Sequence, residues 1–114
     1  MGKDDFFPDI IRNLPEADIP VQGLHAYLFQ GENQQIIFMA FDKDAEIPEH
    51  SHAAQWGAVL DGQIEFTIAG KKSLFRKGDS YFIPKGVRHS AKIKSGYKDI
   101  TLFDQKGRYS AKQA

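Results

Sequence analysis

The chain contains no cysteine, which excludes a disulfide framework, a thiolate ligand and a thiol nucleophile. It also lacks an excess of either charge: fifteen Lys and Arg face fifteen Asp and Glu, with a pI near 6.9. A nucleic-acid or anionic-membrane surface would need clustered basic residues. Lys71-Lys72 and Arg76-Lys77 are too short for that and read as solvated turn residues. Nucleic acid and membrane are therefore not expected partners. No apolar run reaches the roughly 18 residues of a membrane helix. The acidic start Met1-Gly2-Lys3-Asp4-Asp5 has neither the basic region nor the apolar core of a signal peptide. A soluble cytoplasmic protein is the expectation. Ser-His-Asp and phosphate-loop patterns are missing, and no pair of catalytic carboxylates stands out. Helical periodicity is scarce too: only 6–14 carries it weakly, and Pro15 ends it.

What remains is β-sheet. Short runs of β-branched and aromatic residues are cut by turn signals at close spacing. Strands are expected at 24–30, 35–42, 56–60, 63–69, 73–75, 81–83, 89–94 and 99–103. The run 35–42 is apolar on both faces and should be central. In 63–69, Ile64, Phe66 and Ile68 alternate with Gln63, Glu65 and Thr67. Asp61-Gly62 and Gly70-Lys71 mark hairpins, and Pro84 ends the short strand before it. At 114 residues the chain forms one domain that buries about two thirds of its unfolded surface. So many short strands must close into a sandwich or barrel, and a double-sheet jelly roll is the economical answer. Residues 1–22 read as an N-terminal extension, 23–106 as the barrel and 107–114 as a polar tail.

Three of the four histidines fall in two segments: Pro48-Glu49-His50-Ser51-His52, and a second from Gly78-Asp79 through Ile83-Pro84-Lys85-Gly86 to His89. On an extended strand, residues two apart share a face, so His50 and His52 offer paired imidazoles. A third from a neighbouring strand would complete a facial cap for a metal. The pair with Gly62 ten residues on, followed by Gly78, Pro84, Gly86 and His89, resembles the two signature motifs of the cupins. The resemblance implies a jelly-roll β-barrel holding a divalent metal through residues of both motifs. His50, His52 and His89 correspond to the family's histidine ligands. The family's glutamate ligand falls on Gln55, the glycine before the first histidine on Asp44, and the asparagine after the last on Ile93.

The glutamine matters chemically, because its amide oxygen is neutral and a weaker ligand than a carboxylate. Three imidazoles and one amide leave the metal's charge uncompensated, which raises attraction for an anionic ligand. Gln55 has three roles open to it: direct ligand, partner of a metal-bound water, or barrel lining. Zn, Ni, Fe, Mn, Co and Cu are all admissible cofactors. Occupancy should fail below about pH 6.5, where imidazoles protonate. Tyr81 and Arg88 are candidate substrate contacts, Tyr81 from inside the barrel and Arg88 at its mouth. His25 reads as a strand histidine outside the site, and Trp56 as a core or interface residue facing away from Gln55.

The expected function is a small metal-binding cupin that acts on or binds a small oxygenated molecule. A non-catalytic sugar- or carboxylate-binding module is the alternative, and catalysis itself stays open. The apolar segments Phe6-Phe7-Pro8-Asp9-Ile10-Ile11 and Asp18-Ile19-Pro20-Val21 exceed what one barrel face readily covers, so a homodimer is expected.

Overall fold

The β-branched and aromatic runs become nine antiparallel strands within residues 5–113, the part of the chain that a computed structural model describes. Residues 1–4, with most of the acidic start, and residue 114 lie outside it. The strands are β1 (Leu24–Gln30), β2 (Gln35–Phe41), β3 (Ala45–His50), β4 (Gln55–Asp61), β5 (Gln63–Ile68), β6 (Lys71–Arg76), β7 (Ser80–Ile83), β8 (His89–Ile93) and β9 (Lys98–Phe103). One sheet has five strands in the order β1-β2-β9-β4-β7, the other four in the order β3-β8-β5-β6. The expected all-β, double-sheet jelly roll is what forms.

Strand β3 has no counterpart among the strands read from sequence. Its residues, Ala-Glu-Ile-Pro-Glu-His, include a proline and no aromatic. Such a segment is tolerated because β3 is an edge strand, where a missing N–H breaks no interior ladder. Its register with β8 shifts between Ile47 and His50, then resumes with His50 opposite His89. The irregularity spans Pro48 and Glu49 and re-aims the strand end.

Between the sheets lies a core of Phe41, Val59, Ile64, Phe66, Ile83, Ala91 and Ile93. The β4–β5 turn requires glycine. Gly62 has φ +73°, and a Cβ there would approach the Tyr97 Cα to 2.8 Å.

The N-terminal segments pack on the barrel of their own chain. After the single turn α1 (Asp9–Arg12), Ile11 and Leu14 join Phe7 against Tyr27 and Phe38 on the outer face of β1 and β2. Phe7 is 3% exposed, a burial worth about 1.5–3 kcal/mol. Ile19 and Val21 likewise contact the core clusters. Of the large hydrophobic side chains in these segments, Phe6 and Ile10 remain outside.

The segment read as a polar tail is held in place. Ala17 bridges to Ala111, and Asp18 N–H donates to Ser110 O at 2.7 Å. The buried Gln35 side chain donates to Tyr109 O at 2.8 Å and accepts from Tyr109 N–H at 3.1 Å. This clamp sets Arg108 and Tyr109 over one end of the barrel.

Candidate metal centre

His50 ends β3, His89 opens β8, and the two are register partners in the four-stranded sheet. His52 lies past the strand end, in the loop before β4, so the His-x-His pair is split between strand and loop. The loop is fixed by Gly86 N–H donating to His52 O at 2.9 Å and Asp104 N–H donating to Ala54 O at 2.9 Å. The glycine turn of the second motif thus holds the histidine of the first.

Each ring is oriented by a backbone carbonyl. Nδ1 of His50 faces Pro48 O at 2.8 Å, Nδ1 of His52 faces Ala53 O at 2.7 Å, and Nδ1 of His89 faces Val87 O at 2.9 Å. A carbonyl only accepts, so each Nδ1 carries the proton and each Nε2 keeps its lone pair. The three rings converge, with centroids 4.3–5.1 Å apart and ligand atoms all within 4.8 Å of one another. The Nε2 atoms of His52 and His89 are 3.2 Å apart. Two nitrogens each about 2.1 Å from one metal stand roughly 3.0–3.4 Å apart at 90–109°. Three lone pairs aimed at one point repel unless a cation lies between them. The three histidines fit a divalent metal and can hold one.

Protonation is resisted here. Burial lowers the pKa of His52 to about 4, helped by the positive charge of Arg108 and the neighbouring imidazoles. Burial likewise lowers His89, with His50 and Arg108 adding to it. Both shifts favour the neutral, metal-binding form.

Gln55, at the start of β4, is buried in the same cavity. Its Nε2 lies 3.5 Å from the Tyr81 hydroxyl. Tyr81 directs its own proton toward Asp99 Oδ2 or Thr101, each 3.2 Å away. The Tyr81 oxygen is left to accept, so the Gln55 amide turns its NH₂ toward Tyr81 and leaves its carbonyl oxygen free. Tyr81 itself fits because Gly57 lies opposite it in register. A Cβ on residue 57 would sit 2.2 Å from the Tyr81 ring.

The cavity offers about 70 Å³ of free space, walled by Phe41, Ile64, Phe66 and Phe103 beside the polar groups. Arg108 also lines it. Its guanidinium stacks over Tyr109 at 4.4 Å, and its Nε is buried and, among the described residues, has no hydrogen-bond partner. Arg88, by contrast, is exposed, pairs with Glu49 at 3.3 Å and does not line the cavity. His25 turns to Asp42 at 2.8 Å, away from the cluster. Trp56 stands on the outer face, 43% exposed, so it is no core residue.

A cupin-domain family model matches residues 37–102, more than half of the chain and spanning all three histidines. The chain belongs to the cupins.

The chain is similar to several known proteins. Quercetin 2,3-dioxygenase of Bacillus subtilis is 30% identical over 79 residues, covering 68% of this chain and 23% of that protein. An uncharacterized protein of Aquifex aeolicus is 41% identical over 54 residues, covering 46% and 44%. The chain thus spans less than half the length of either. Among solved structures, an RmlC-like cupin from Shewanella frigidimarina superposes with a TM-score of 0.73 at 25% identity, over 95% of this chain and 96% of that one. KdgF from Halomonas sp. gives 0.68 at 22%, over 79% and 87%. A deletion mutant of Bacillus subtilis oxalate decarboxylase gives 0.70 at 22%, over 90% and 30%.

Sequence reasoning located the three cupin histidines, Gln55 and Tyr81. It missed Asp99, Thr101 and Arg108, which line the same cavity. Asp99 and Thr101 alternate with Ile100 and Leu102 along β9, and the apolar pair is the more obvious inward set. Their shared parity with buried Phe103 was the available clue.

Proposed function

We propose that this cupin binds one divalent transition metal on His50, His52 and His89, with the Gln55 carbonyl oxygen as a further ligand, and uses it on a small oxygenated molecule. The convergence of three Nε2 lone pairs, each fixed by a carbonyl on Nδ1, carries the reading. A bound metal would supply Lewis acidity or redox chemistry at an open coordination position. Around it, Arg108 supplies a positive charge for an anionic oxygen, Tyr81 holds Gln55 in orientation, and Phe66 and Phe103 exclude water. The quercetin dioxygenase relative supports small oxygenated substrates as a class. Elemental analysis after purification and reconstitution tests the metal: about one equivalent is expected, and none would end the proposal. Gln55→Glu is expected to tighten metal retention. Unchanged affinity would remove Gln55 from the ligand set.

A non-catalytic capture module is the second reading; the free volume, far below the roughly 300–1,000 Å³ of larger ligand pockets, restricts either role to a very small molecule. A binder is stabilised by its ligand and returns it unaltered.

A homodimer belongs to the same proposal, through a different surface from the one first expected. Phe29, Ile36, Leu102, Trp56 and Phe82 are successive register partners across all five strands. Phe29, Trp56 and Phe82 are 53%, 43% and 58% exposed. Leu102 is on the middle strand, so a two-fold axis there sets Phe29 of one copy near Phe82 of the other. Light scattering at micromolar concentration is expected to give twice the chain mass. A monomer would refute this.

A further inference from the structure

The cavity has a second polar end, built by the five-stranded sheet. Asp99 on β9 is 2% exposed and lines the cavity. Its Oδ2 accepts from the Tyr97 hydroxyl at 2.6 Å and lies 3.2 Å from the Tyr81 hydroxyl. Its Oδ1 is buried and, among the described residues, has no hydrogen-bond partner. An unmet buried acceptor costs about 1–3 kcal/mol, and more when charged, so native sites rarely leave one without a purpose. Among the described residues, no basic side chain answers it. Lys98, its neighbour in sequence, donates instead to Gly96 O at 3.0 Å. Tyr97 has committed its one proton to Oδ2, Tyr81 is turned to Oδ2 or Thr101, and the Thr101 hydroxyl, near enough to favour the Asp99 carboxylate, makes no hydrogen bond to Oδ1.

The geometry points to Asp99 Oδ1 as the acceptor for a hydroxyl group of the ligand, making the preferred ligand a small hydroxy acid. Its anionic oxygen faces the histidines and Arg108, and its hydroxyl reaches the Asp99 end. This rests on the reading of the cavity as a small-molecule site. An ammonium group fits less well, because it brings three donors to one free acceptor among Phe41, Ile64 and Phe66. Distance limits the ligand as well. Gln55 Nε2 is 3.5 Å from the Tyr81 hydroxyl, which is 3.2 Å from Asp99. Gln55 and the Asp99 carboxylate therefore stand at most two hydrogen bonds apart, a gap that a ligand of about three to five linked heavy atoms can bridge.

Calorimetric titration of zinc-loaded protein tests this, with glycolate, 3-hydroxypropanoate and 4-hydroxybutanoate set against acetate, propanoate and butanoate. Zinc content is measured in every sample. At least one hydroxy acid is expected to bind tenfold or more tightly than its deoxy counterpart, the value of roughly one hydrogen bond to a charged group. Asp99→Asn is expected to reduce that preference below about threefold, with zinc content and deoxy-acid affinity unchanged. If Asp99→Asn does not fold, Asp99→Glu replaces it and should move the optimum to a shorter chain. Equal affinities in all three pairs, no binding by any acid, or a preference that survives Asp99→Asn would overturn the assignment. Sub-stoichiometric zinc in the wild type would count against the metal proposal instead. The six acids are then compared on the metal-free protein, where the same hydroxyl preference is expected and its absence overturns the assignment.

Discussion

The two sheets of this cupin present opposite characters on both their faces. Toward the cavity, the four-stranded sheet supplies His50 and His89, both nitrogen donors. The five-stranded sheet supplies Gln55, Tyr81, Asp99 and Thr101, all bearing oxygen. Toward the outside, the four-stranded sheet carries the register row Glu46, Lys92, Glu65, Leu74, in which opposite charges sit side by side. The five-stranded sheet carries Phe29, Ile36, Leu102, Trp56 and Phe82. One sheet has the usual polar-out pattern. The other is apolar outside; the N-terminal segment covers part of that face, and the rest is the surface proposed to meet a second copy. Its inner face is correspondingly free to hold polar groups that a small barrel would otherwise exclude.

The largest effect should come from removing the nitrogen side of the cavity. His89→Ala deletes a ligand that is buried and in register with His50, and stoichiometric metal should be lost entirely by elemental analysis. Thr101→Val, on the oxygen side, is expected to retain a full equivalent. Equal losses would show that the division between the sheets is not functional.

Next is Gly57→Ala on the five-stranded sheet. The new methyl would meet the Tyr81 ring at 2.2 Å, and Tyr81 is confined by Phe66 at 4.5 Å and Phe75 at 5.7 Å between centroids. Overpacking of this kind costs about 1–3 kcal/mol, a melting point roughly 5–15 °C lower. A second change, Tyr81→Leu, should recover part of the loss, because the two side chains compete for one space. Additive losses would mean that the methyl is accommodated elsewhere.

Titration separates the histidine cluster from Asp99 by sign. In metal-free protein the His52 pKa falls from 6.5 to about 4, so the folded state binds fewer protons and stability drops as pH falls through that window. His89 acts in the same direction. Asp99 is opposite: burial raises it from 3.8 to about 6. Its contribution is fully present below 3.8 and lost as pH rises through 6. Between about pH 4 and 6 the histidine cluster and Asp99 therefore offset each other. Asp99→Asn should make the acid loss steeper by about one proton's worth of slope, measured by denaturant titration from pH 4.5 to 7.5. A slope unchanged from wild type would refute the opposition.

How legible this was in the sequence differed from strand to strand rather than from sheet to sheet. Strand periodicity and the two motifs placed β5, β7 and β8, and with them His89 and Tyr81. Apolar alternation is informative where water is on the other side. On β9 it gives no guide, since Ile100 and Leu102 face outward while Asp99 and Thr101 face in. Strand β3 was hidden by Pro48, which an edge position tolerates. Arg108 depends on Gln35 gripping Tyr109 from 74 residues away, a contact no local pattern encodes. Only the fold could replace Arg88 with Arg108 as the cavity's arginine.

The smallest effects belong to the outer faces, and they distinguish an apolar face that is used from one that is merely tolerated. Trp56→Lys places a charge beside Leu102 and Phe82 in the row. If the row joins two copies, that charge is buried at the contact and the mass by light scattering should halve. The fold itself should change by no more than about 0.5–1 kcal/mol, because Trp56 contributes to no core cluster. Lys92→Ala, in the corresponding row of the other sheet, removes one partner of exposed Glu46 and half-buried Glu65. It should alter stability by less than about 0.5 kcal/mol and leave the mass unchanged. A mass that responds to both substitutions, or to Lys92→Ala alone, would assign the interface to the charged sheet.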